Sequence, residues 1–168
     1  MSVPPTRIVY ADDGCCVAVR GPLALSVWPG APTLARLTRA WEIVRDEART
    51  RGAPLVLLSV VPGGAPLVAL ADLPAIGREM MASRSATLAL CIAFEGHGPW
   101  AERALEVATL ADAARIALGA GALSRRYTTS VEEAATWLAA QLRRVGDETL
   151  GRAEILEAVD LARAAVGA

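Results

Sequence analysis

The sequence predicts an α/β domain: a mixed β-sheet opened by an N-terminal β-hairpin, with helices packed on it. Three observations lead there. Two short runs of β-formers, Thr6 to Tyr10 and Cys15 to Arg20, flank an Asp13-Gly14 pair that favours a tight turn. Leu55 to Val61 and Ala86 to Phe94 are near-continuous apolar runs, the pattern of strands buried on both faces of a sheet. Between and after them, apolar residues recur at helical spacing.

Taken in order, the hairpin is followed by Gly21 to Pro32, whose three prolines and two glycines suit a connection, with room for a short strand around Leu23, Leu25 and Val27. Thr33 is a good N-cap for a helix carrying Leu34, Leu37, Trp41, Val44 and Ala48 on one side, ended by Gly52 and Pro54. Asp72 and Pro74 mark the start of a short helix over Leu73 to Ala82, and the strands on either side of it are expected to lie adjacent and parallel. Pro99 opens a helix with Trp100, Ala104, Val107, Ala111, Ala114 and Leu118 on one face, stopped by Gly119 and Gly121. Arg125 to Thr128 reads as a strand, and Ser130 with Glu133 as a capping box before a helix carrying Val131, Ala134, Trp137 and Leu138. A last helix spans Gly151 to Val166.

Composition narrows the function classes. At 168 residues and 54% hydrophobic, the chain has enough apolar surface for one well-buried domain without disulfides. All 17 basic residues are arginine, scattered along the chain and matched by 18 acids, so nucleic acid is not expected as a partner. The uncharged stretch from Gly52 to Ala71 is interrupted by Pro54, Pro62, Gly63, Gly64 and Pro66, and is not expected to span a membrane. Met1 to Arg7 has no export-signal pattern, and the three cysteines form no even framework, so a cytoplasmic location with free thiols is expected.

The order of elements, closed by the block Arg125-Arg126-Tyr127-Thr128-Thr129-Ser130-Val131-Glu132-Glu133-Ala134-Ala135-Thr136-Trp137-Leu138, resembles a STAS-like domain over Thr6 to about Leu142. The resemblance implies a bacterial regulatory or scaffolding module that binds another protein. In anti-sigma factor antagonists of that family, a phosphorylatable hydroxyl starts the helix after the third strand. The matching stretch here, Val60 to Asp72, has no serine or threonine, which puts that switch in doubt. The nearest hydroxyl, Ser59, falls inside an apolar strand.

Candidate chemistry is sparse. His97, in Glu95-Gly96-His97-Gly98-Pro99-Trp100, leaves the end of a central strand where α/β folds bind ligands, and with Glu95 it defines the enzyme alternative. Adjacent strand residues point to opposite faces, so Cys15 and Cys16 cannot easily join Cys91 and His97 around one zinc. Gly119-Ala120-Gly121 lacks the third glycine of a dinucleotide loop. No metal, cofactor or catalytic residue is therefore assigned.

Trp41 and Trp137 fall at core spacing, whereas Trp28, in a proline-rich segment, is the tryptophan expected to touch a partner. Residues 1–145 are read as the domain and 146–168 as a helical extension. There Ile155, Val159, Ala162 and Val166 form an apolar stripe that covers either its own domain or a second copy, with a homodimer favoured. The rival to a protein-interaction module is a small-molecule or lipid-binding module of similar fold, suggested by the apolar loops around Trp28 and Pro62.

Overall fold

The computed structural model describes residues 4–117 and 123–167, apart from the side chains of residues 114, 115 and 117. The expected helix stop at Gly119 and Gly121, and Leu118 before it, lie outside the described residues. Strands β1 (Arg7–Ala11) and β2 (Cys16–Arg20) form the antiparallel hairpin. Its turn is held by the Asp12 carboxylate, which accepts the backbone N–H groups of Gly14 and Cys15 at 2.8 Å each. The Tyr10 hydroxyl and the Arg36 guanidinium donate to the same carboxylate at 2.6 and 2.9 Å.

Gly21, at φ 53°, turns the chain into β3 (Leu23–Val27), antiparallel to β2. The connection suspected between Gly21 and Pro32 thus contains a full strand, because every residue of Leu23–Val27 has a partner on each side. β4 (Leu55–Val61), β5 (Thr87–Phe94) and β6 (Ser124–Thr128) then add in parallel, giving six strands in chain order.

Helices α1 (Leu34–Arg51), α2 (Leu73–Ala82) and α3 (Pro99–Ala117) each connect one parallel strand to the next. α1 is capped as its sequence predicts, by the Thr33 hydroxyl at its start and by Gly52, at φ 70°, at its end. α4 (Val131–Arg144) and α5 (Arg152–Val166) follow the last strand and pack on the opposite face. At the start of α4 half of the expected capping box forms: Ser130 Oγ accepts the Glu133 N–H at 3.1 Å. The Glu133 carboxylate does not return to Ser130 but binds Thr128 and Arg126, and Thr128 Oγ1 takes the Ser130 N–H at 3.2 Å.

Strand alternation gives the sheet two unlike sides. Leu25, Val27, Val56, Leu58, Val60, Cys91 and Ala93 join α4 and α5 in one continuous core. The small residues Ala134, Ala135, Ala139, Ala158 and Ala162 let these helices sit close to the strands. The other face carries Val17, Leu57, Leu90, Ile92 and Phe94, covered by α1, α2 and α3.

The apolar stripe of the last helix goes to the first of its two possible destinations, its own domain. Ile155, Val159 and Ala162 are fully buried in the chain's own core, with Leu150 beside them, and Val166 is half-buried against it. α5 lies over β1, β2 and β3 while α4 lies over β4, β5 and β6. Without α5 half of that face would be bare. Arg20 fastens it, donating from Nη1 to the Glu154 carbonyl at 2.9 Å and the Glu157 carboxylate at 2.6 Å. Among the described residues no helix is long and apolar enough to cross a membrane.

Candidate functional site

The structure separates most of the residues that the sequence singles out. His97 is exposed in its glycine-rich turn, and Glu95 pairs with Arg163 of α5, so no acid–base pair forms from the two. Trp28 is 3% exposed, not a surface contact: its indole sits under α1 with Nε1 donating to Ser26 Oγ at 2.9 Å. Trp41 and Trp137 are partly buried against core clusters, as their spacing predicts. Trp100 packs edge-to-face on Phe94 and donates to the Ala65 carbonyl at 3.1 Å.

The cysteines divide between the two sides of the sheet, Cys15 toward α1 and both Cys16 and Cys91 toward α4 and α5. No group of metal-binding side chains occurs among the described residues. Burial pushes the Cys15 and Cys91 thiols up to about 12 and raises that of Cys16. Native protein at pH 8 is accordingly expected to resist Ellman's reagent and to release three thiols on unfolding. Rapid native labelling would show that the thiols are accessible to solvent.

What the structure adds is space. Between the sheet and helices α1, α2 and α3 lies a partly open cavity of about 800 Å³. Its floor is the face of β2 to β6 bearing Val17, Leu57, Leu90, Ile92 and Phe94. Leu37, Trp41 and Val44 of α1 wall one side, Ile76, Met80 and Met81 of α2 form the roof, and Ala104, Val107 and Ala108 of α3 close the other. α2 buries none of its residues, and Gly77 at its middle faces open space where a Cβ would meet nothing within 4 Å. The cover therefore stands off the sheet.

A volume of this size matters energetically. The cavity is open to solvent, so its cost when unfilled is that of apolar surface left against water. Water entering through the opening would meet mainly apolar walls. An apolar guest removes that cost, and the volume lies within the roughly 300–1,000 Å³ range of small-molecule sites. No family model, curated protein or solved structure matches the chain.

Few polar groups interrupt the lining. Ser26 and Ser59, paired across β3 and β4, place their hydroxyls 3.3 Å apart on the floor. Ser59 thus lines the cavity, with its hydroxyl bonded to a neighbouring strand. At the β6 end, Arg125 donates from Nη1 to Asp112 of α3 at 2.8 Å, and Tyr127 lines the same end. The sequence reading missed Ser26, Gly77, Asp112 and Arg125 as site residues. Gly77 inside a predicted helix and two serines in apolar strands were the available signals.

A second hollow of about 350 Å³ lies at the carboxyl ends of β4 and β5, between Pro29, the Pro62 to Pro66 loop, Glu95 and Arg163. Gly63 is required there, because a Cβ would come within 2.8 Å of the Glu95 carbonyl oxygen. Its two charged groups already pair with each other.

Proposed function

We propose that this protein is a non-enzymatic binding module that holds a small, largely apolar molecule between its sheet and helices α1 to α3. The observation that carries the reading is the cavity, about 800 Å³ in volume and lined mainly by apolar side chains from the sheet and three helices. This favours the small-molecule alternative over a protein-interaction module. Trp28, Ile155, Val159 and Ala162, which supported partner binding, are spent on the chain's own core. Within the proposal, the STAS-like resemblance describes the scaffold, and a cytoplasmic setting suits three buried free thiols.

The test is saturable binding of Nile red, a neutral apolar fluorophore, to purified protein, compared with Gly77→Leu. Gly77 lines the cavity and a Cβ there meets nothing within 4 Å, so a leucine is expected to take up part of the space, and the change removes a mid-helix glycine. The variant is expected to bind Nile red at least about tenfold more weakly and to melt roughly 2–4 °C higher. Equal binding by the two proteins, or none by the wild type, would remove the proposal.

A further inference from the structure

We infer that the ligand is an uncharged ketone or ester whose carbonyl oxygen is taken by Ser59 at mid-molecule, an inference that rests on the cavity being a ligand site. Ser26 is the one residue of β3, and Ser59 the one residue of β4, that is not buried, and both line the cavity. Trp28 Nε1 donates to Ser26 Oγ at 2.9 Å, and the Ser26 and Ser59 hydroxyls share a bond of 3.3 Å. Three protons thus enter a group that makes two bonds. Neither serine has a further hydrogen-bond partner among the described residues, so one hydroxyl proton is unspent. An indole N–H can only donate, which fixes Ser26 as its acceptor; Ser26 then donates to Ser59, and the spare proton falls to Ser59 on the cavity floor.

Position sets what that proton can meet. Val17, Ser26, Ser59, Ile92 and Tyr127 stand side by side across β2 to β6, with Ser59 on the middle strand. Along β4, Leu57 and Val61 flank it on the same face and also line the cavity. A guest lying on this floor meets the hydroxyl near its centre and apolar walls toward either end. An ion set down at mid-floor would exchange its hydration for hydroxyl dipoles, so the acceptor belongs to a neutral group. A ketone or ester brings acceptors and no proton of its own, whereas an alcohol or a primary amide adds a donor that needs a partner.

Displacement of Nile red by fluorenone and by fluorene, which differ by one carbonyl, reads the oxygen apart from the rings. Ser59→Thr and Ser59→Val introduce side chains of the same shape that differ in the hydroxyl. The affinity ratio of fluorenone to fluorene is expected to persist in Ser59→Thr and to fall at least about fivefold in Ser59→Val, the scale of one hydrogen bond. Fluorene should compete equally on both variants. The C=O stretch of fluorenone bound to wild-type protein should lie below its value in hexane, a reading that serves if Ser59→Val fails to fold. Equal ratios in the two variants, or a bound stretch at the hexane value, overturns the assignment to Ser59, while the cavity reading survives on Nile red binding and its weakening in Gly77→Leu. Failure of wild-type protein to bind Nile red removes both.

Discussion

Ending the chain after Val145 is expected to give a protein that does not fold. The missing segment contains Leu150, Ile155 and Val159, all fully buried, together with the close-packed Ala158 and Ala162. Burying each large side chain contributes roughly 1.5–3 kcal/mol, so the three together approach the whole stability of an ordinary domain. Their loss also exposes Cys16, Ala18, Leu23, Leu25 and Val27 on the strands beneath. Circular dichroism and proton chemical-shift dispersion of the truncated chain are the measurements. A dispersed spectrum from a folded monomer would show that α5 is an appendage. Ile155→Ala in the full chain should be milder, about 2–5 kcal/mol in urea unfolding.

Asp12→Ala is expected to cost roughly 2–3 kcal/mol at pH 7, the scale of hydrogen bonds to a charged group. The carboxylate is partly buried, which opposes its ionisation, but donation from Tyr10, Arg36 and the backbone N–H groups of Gly14 and Cys15 outweighs this and holds Asp12 well below the usual carboxylate range. A depressed folded value stabilises the protein above the unfolded value near 3.9, and that contribution is lost as pH falls toward the folded one. The gap in stability between wild type and Asp12→Ala should therefore be full at pH 6 to 7 and shrink below about pH 4. A gap constant down to pH 2 contradicts the assignment.

The sheet was legible in the sequence where periodicity or continuity was strong. Leu55–Val61 and the run ending at Phe94 announce buried parallel strands, and Asp72 and Pro74 mark the start of Leu73–Ala82. β3 was half-hidden because Pro22, Pro29 and Pro32 surround it, although each lies outside the strand and removes no ladder bond. Trp28 resembled a loop residue for the same reason. The stripe on α5 was readable but its destination was not, since whether α4 alone covers the second face depends on how wide the sheet is. The cavity left the weakest trace of all. Sequence patterns record which side chains turn inward, and a void is set by how far the cover stands from the floor.

The alternation along β4 and β5 has a consequence for how this protein tolerates change. Val56, Leu58, Val60, Ala89, Cys91 and Ala93 meet α4 and α5, whereas Leu57, Ser59, Leu90 and Ile92 meet the cavity. Neighbours in the chain thus answer to different constraints, one set to packing and the other to whatever occupies the space. Exchanging Leu57, Leu90 or Ile92 for a larger or smaller apolar residue reshapes the guest's enclosure while the densely packed layer one residue away keeps the fold. Variation confined to every second position of the two central strands would let the same scaffold change its ligand without losing its architecture.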